Sequence, residues 1–221
     1  MIAITIGALV ITIFLCFFLL FLTSKQDFVL LRQNISLSEI FDLAAISFLI
    51  AFFFGRALFI ISNFRFELVG VAKFFHLLKF PGLSPLGFFL GAALSIYLLF
   101  RNKKGLGRIY DIFSISFMPL FVLFIVDRLY PQKLFYLSPV LFIISLLIFA
   151  FFVKSHQKYI LKDGSISFIF LFLIALDTLI SQFFLDSHRI IFNLSILQLL
   201  SIPLISAAVV LFIVNQKSTK K

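Results

Sequence analysis

The chain has 221 residues, 62% of them hydrophobic and 13% charged, with a mean hydropathy of +1.20. Soluble domains hold roughly 45–50% apolar residues, so the composition excludes a soluble globular domain and marks an integral membrane protein. The formal net charge is +10, but the bases fall in short gaps between apolar runs, where membrane topology accounts for them and no nucleic-acid surface is implied.

A helix that crosses the bilayer needs about 20 mostly apolar residues. Runs near that length occupy residues 2–22, 43–62, 83–100, 109–130, 134–153, 165–185 and 190–214. They predict an all-α seven-transmembrane-helix bundle, one domain over 1–221. The first run lacks a basic n-region and a small-residue cleavage site, so it reads as helix one rather than a removed leader. It holds the single cysteine, Cys16, which has Leu15 before it instead of the small residue of a lipobox. The runs are uniformly apolar, unlike the alternating strands of a membrane β-barrel.

Lys and Arg in the gaps set the orientation. Alternate gaps, starting with the first, carry 12 of them, from Lys25 and Arg32 through Arg101, Lys103, Lys104 and Arg108 to Lys154, Lys158, Lys162 and the lysines of the tail. The other gaps and their flanks carry 6. The excess places those gaps inside, the N-terminus outside and the C-terminus in the cytoplasm. One outer gap, residues 63–82, contains "FELVGVAKFFHLLKF". At helical spacing Leu68, Val71, Ala72, Phe75 and Leu78 share a face, as in a short helix lying in the interface. A loop packed on the bundle is the other reading, since Gly70 weakens a helix.

Charges inside the runs carry the chemistry. Arg56, Asp177 and the adjacent Asp127 and Arg128 stand out. An unpaired charge at mid-membrane costs at least about 2.5 kcal/mol, so such groups face the bundle interior and pair. Asp177 reads as a structural charge partnered by Arg56 or Arg128; the alternative for an arginine is contact with a lipid phosphate. Arg128 lies near a helix end, where snorkelling also places it. His76, His156 and His188 have no ligand spacing, so no metal is expected. No nucleophile motif and no cofactor motif is present.

Three segments carry a resemblance. "FFFGRALFIISNF", "GLSPLGFFLGAAL" and "SILQLLSIPLI" are similar, in this order, to the Gly-Arg-containing second helix, the Gly-x-Ser-x-His-Gly-Gly segment and the final helix of prolipoprotein diacylglyceryl transferases. Those are seven-helix bacterial enzymes that move diacylglyceryl from phosphatidylglycerol to a lipobox cysteine. The resemblance spans about Asp27 to Val214 and rests on Gly55, Arg56, Gly82, Ser84, Gly87, Gly91, Gln198, Ser201 and Pro203. It implies a multi-pass protein of a bacterial-type plasma membrane, with phospholipid and a prolipoprotein signal segment as partners. Arg56, Arg128, Ser84 and Gly87 are then the lipid-binding candidates.

The departures bear on the chemistry. The family's histidine position is Leu86 and the second glycine beside it is Phe88. The family's Gly-Arg-x-Gly-Asn signature is reduced to "DRLYPQ", and its tyrosine and arginine on the sixth helix fall on Ile174 and Thr178. Thiol attack with departure of glycerol phosphate needs a base and fixed cations. Leu86 supplies neither, which leaves His76 as the weak catalytic candidate. Two expectations stand: an impaired transferase with a rearranged site, or a noncatalytic relative that binds phospholipid or an apolar segment of another membrane protein. A small transporter is less favoured, since no inverted repeat is visible.

Overall fold

In the computed structural model the structure describes residues 2–25, 27–63, 70, 73–74, 82–102, 105–129, 138–184 and 194–217. The helices are α1 (Ile2–Lys25), α2 (Phe28–Arg32), α3 (Leu37–Ser62), α4 (Pro85–Phe100), α5 (Leu106–Ser116), α6 (Met118–Leu129), α7 (Ser138–Gln157), α8 (Ser165–Phe184) and α9 (Ile196–Lys217). Among the described residues the fold is all-helical. Five helices are long and apolar enough to cross a membrane, and the bent pair α5–α6 makes a sixth.

Local chemistry sets the boundaries. α3 starts six residues before the apolar run at 43, because Ser36 caps it and accepts the Glu39 N–H at 3.2 Å. "SLSE" has the Ser-x-x-Glu spacing of a capping box. The run expected as one helix over 109–130 is two helices meeting at Phe117 with a bend of 44°. Pro119 is the second residue of α6; it has no N–H for the carbonyl four residues back, and its ring crowds that carbonyl. α4 has 16 residues, about 24 Å at 1.5 Å per residue, and is shorter than the five long apolar helices.

The inside of the bundle surrounds α5, which packs on α1, α4, α7 and α8, while α3–α4 and α8–α9 form close hairpins. α1 belongs to this bundle: Cys16 and Leu20 on it are fully buried, and Phe17 meets the rings of Phe41 and Phe117. The outward faces are also apolar. Ile11, Phe14, Leu49, Leu147 and Val210 are exposed, as expected where the solvent is lipid rather than water.

The "GLSPLGFFLG" stretch makes the α3–α4 hairpin. Gly82 has φ +141°, a conformation open to glycine, and a Cβ there would lie 2.1 Å from the Phe59 ring. Ser84 then caps α4, and Pro85 occupies the first turn, where its missing N–H costs nothing. Gly87 and Gly91 let α4 lie directly on α3. A Cβ on Gly87 would sit 2.7 Å from the Phe54 carbonyl oxygen, and one on Gly91 2.6 Å from Phe54 Cβ. Small residues are how helices approach closely in a membrane.

Candidate functional site

Three polar or hollow places lie on this frame. The first surrounds Arg56, on the last two turns of α3 and fully buried. Its Nη1 donates to the Gly82 carbonyl at 2.6 Å, Nε to Phe74 at 3.1 Å and Nη2 to Lys73 at 3.4 Å. The guanidinium also lies over the Phe59 ring, 5.6 Å from its centroid. Arg56 therefore ties the backbone at Lys73, Phe74 and Gly82 to α3, with carbonyl dipoles facing its charge.

The second place is at the opposite end, where α1, α5, α7 and α8 meet. Arg108 is 2% exposed. Its Nε donates to Asp27 Oδ2 at 2.8 Å, Nη1 to Asp163 Oδ1 at 3.3 Å and Nη2 to the His156 carbonyl at 3.2 Å. The Tyr159 ring lies 4.6 Å from its guanidinium carbon. Asp27 in turn caps α2 through the N–H groups of Val29 and Leu30, and His156 Nε2 stands 3.1 Å from its Oδ2. Burial disfavours ionised Asp27, but the neighbouring His156, the Arg108 charge and the Leu30 N–H together outweigh it. Its carboxyl is held below the ordinary value. Three residues along α5, Asp111 accepts the N–H groups of Gly164 and Ser167 at 2.7 and 2.9 Å, capping α8 from another helix. Two carboxylates already neutralise Arg108, so this cluster is a structural clasp with no charge to offer a phosphate.

The third place is a partly open cavity of about 250 Å³ among α3, α4, α5 and α8. α3 contributes Ser47, Phe48 and Ala51; α4 contributes Phe88, Phe89, Ala92, Ala93 and Ile96. Tyr110, Phe113, Ser114 and Phe117 come from the α5 side, and Ser167, Phe168, Phe170, Leu171 and Ile174 from α8. The lining holds no charged residue. Phe89 meets Phe170 edge-on at 5.2 Å, and Phe48 meets Phe88 likewise at 5.5 Å.

The residues expected to bind lipid sit apart from this cavity. Ser84 is a buried helix cap and Gly87 a helix–helix contact, while Arg56 is held by backbone carbonyls; none of them lines the cavity. Leu86 is fully buried. Asp177 is half-buried on α8. His76 and the rest of the interfacial segment over 64–69, 71–72 and 75–81 lie outside the described residues, as does the side chain of Arg128. Among the described residues no group of His, Cys, Asp and Glu is placed to hold a metal ion. Sequence reasoning missed Asp111 and the buried role of Arg108. Asp111 inside the run at 109–130 was the available sign, because a carboxylate there must be satisfied by the protein.

No protein-family model matches the chain, no curated protein matches it, and no solved structure matches it.

Proposed function

We propose that the chain is a multi-pass membrane protein that binds a membrane lipid inside its helix bundle and performs no transfer chemistry on it. The cavity of about 250 Å³ carries this reading. An apolar, partly open pocket with few polar groups is the form that binding sites for apolar molecules take. On this reading the bundle has seven spans in a bacterial-type plasma membrane, N-terminus outside, and is a noncatalytic relative of the diacylglyceryl transferases it resembles. That resemblance makes phosphatidylglycerol the first lipid to examine. Against a transferase stands Leu86, a buried hydrocarbon where those enzymes carry histidine. Losing a general base forfeits about 10²–10⁴ in rate.

Two measurements test the reading. In cells depleted of their own diacylglyceryl transferase, the expressed protein leaves a reporter lipoprotein unlipidated, whereas rescue that is lost in His76→Ala restores the transferase reading. Native mass spectrometry of the purified protein shows a retained lipid that Ala92→Phe, which fills the cavity, expels. A lipid-free wild type, or retention equal in the two proteins, overturns the binding reading.

A further inference from the structure

Hydroxyls of the bundle helices show a regular habit that, among the described residues, Ser24, Ser47 and Ser155 break, and of these three only Ser47 borders the cavity. Ser95 donates to Ala92, Ser114 to Tyr110, Ser116 to Ile112 and Thr178 to Ile174, each to a carbonyl three or four residues back. Such bonding satisfies a hydroxyl proton where no water is at hand. Ser47, 2% exposed on α3, makes no hydrogen bond through its Oγ among the described residues, and it lines the cavity.

The other cavity hydroxyls are committed as donors. Tyr110 donates to the Ala93 carbonyl at 2.7 Å, Ser114 to that of Tyr110 at 2.8 Å and Ser167 to that of Gly164 at 2.6 Å. The lining therefore presents one uncommitted O–H donor, at Ser47. A buried donor left unsatisfied is destabilising, and a bound acceptor atom removes that cost.

The occupant's chemistry follows. The lining has no charge, and an ion taken into it would lack a counter-charge, so the part inside is uncharged. Ser47 is ten residues into a helix of 26 but four residues, about 6 Å, into the apolar run that begins at residue 43, below the boundary where the ester carbonyls of a phospholipid lie. A saturated acyl chain at that depth has no acceptor for it. The walls are phenylalanine rings set edge to face, among them Phe48 with Phe88 and Phe89 with Phe170, and such faces and edges favour a flat π-system.

Resting on the lipid-binding reading above, we propose that the cavity takes the uncharged, carbonyl-bearing ring of a membrane-soluble quinone-type molecule, with Ser47 Oγ donating to a ring carbonyl oxygen. Two probes separate this from plain apolar binding: a decyl-substituted benzoquinone and decylbenzene, which has the same tail and an acceptor-free ring. Each is titrated into wild type, Ser47→Ala and Ala92→Phe in nanodiscs, with bound fraction read by native mass spectrometry. Thermal unfolding establishes that all three proteins are folded. In wild type the quinone binds more tightly than decylbenzene. Ser47→Ala weakens the quinone about 2- to 12-fold, the worth of one neutral hydrogen bond, and leaves decylbenzene unchanged; Ala92→Phe loses both. Equal binding of the two probes in wild type, or quinone affinity unaffected by Ser47→Ala, overturns the proposal while the lipid-binding reading stands. Failure of the folded wild type to bind either probe overturns the quinone proposal, and lipid retention then judges the broader reading separately.

Discussion

At the scale of single residues, the buried charges are fasteners, and the Asp27–Arg108 pair is the clearest to test. Both side chains are almost fully buried, at 1% and 3% exposure. Removing one partner strands the other, which costs about 3–5 kcal/mol for a buried pair. Arg108→Met therefore lowers the thermal midpoint of the detergent-purified protein well below that of wild type. The pair also fixes an acid response. Asp27 has a folded-state value below its unfolded one near 3.8, so its stabilisation is full above about pH 4 and is lost as the pH falls through the lower folded value. The wild-type midpoint drops on acidification in that window, and Asp27→Asn starts lower at neutral pH and drops less. A wild-type-like acid profile for Asp27→Asn would remove this account. Arg56 was legible in the sequence as an intramembrane cation that must be satisfied. Its three carbonyl partners were not, because they come from segments 17 to 26 residues further along the chain. The cavity was less legible still: it is the space left between side chains of four helices, and no local pattern encodes it.

At the scale of elements, the α3–α4 hairpin depends on the absence of a side chain. A Cβ on Gly87 would meet the Phe54 backbone oxygen at 2.7 Å and Leu58 Cβ at 2.8 Å, and neither can move without shifting a helix. Overpacking of this kind costs about 1–3 kcal/mol. Gly87→Ala thus lowers the melting midpoint in detergent, while Gly7→Ala, with nothing within 4 Å of its new methyl, does not. Equal midpoints would mean that the hairpin adjusts freely. Apolar run length located every long helix, because a stretch of hydrocarbon-facing residues has few alternatives to the helix. It misplaced ends and missed the break at Phe117. Ends are set by single capping groups such as Ser36, and the break by Pro119; both features are a few residues wide and vanish in a window of about 20.

At the scale of the whole molecule, the seven-span reading turns on α4, whose 16 residues cover about 24 Å against roughly 30 Å of hydrocarbon. Its neighbour bears on the shortfall. The Ser84 N–H donates to the Gly55 carbonyl at 3.0 Å, so α4 starts level with Gly55, seven residues before the end of α3. From there it descends against α3 past Phe54 and Ala51. Its 24 Å carries Phe100 to within about two turns of the first residue of α3. If α3 crosses the bilayer, α4 crosses all but its outermost part. Residues 63 and 102 then lie on opposite sides. In a Cys16→Ala background, Asn63→Cys reacts with a membrane-impermeant maleimide added to intact spheroplasts, while Asn102→Cys and Lys217→Cys react only after lysis. Labelling of Asn63→Cys and Asn102→Cys from the same side would make α4 re-entrant and reduce the spans to six. The opposite pattern, with Asn102→Cys labelled outside, would keep seven spans and reverse the orientation set by the 12 against 6 bases.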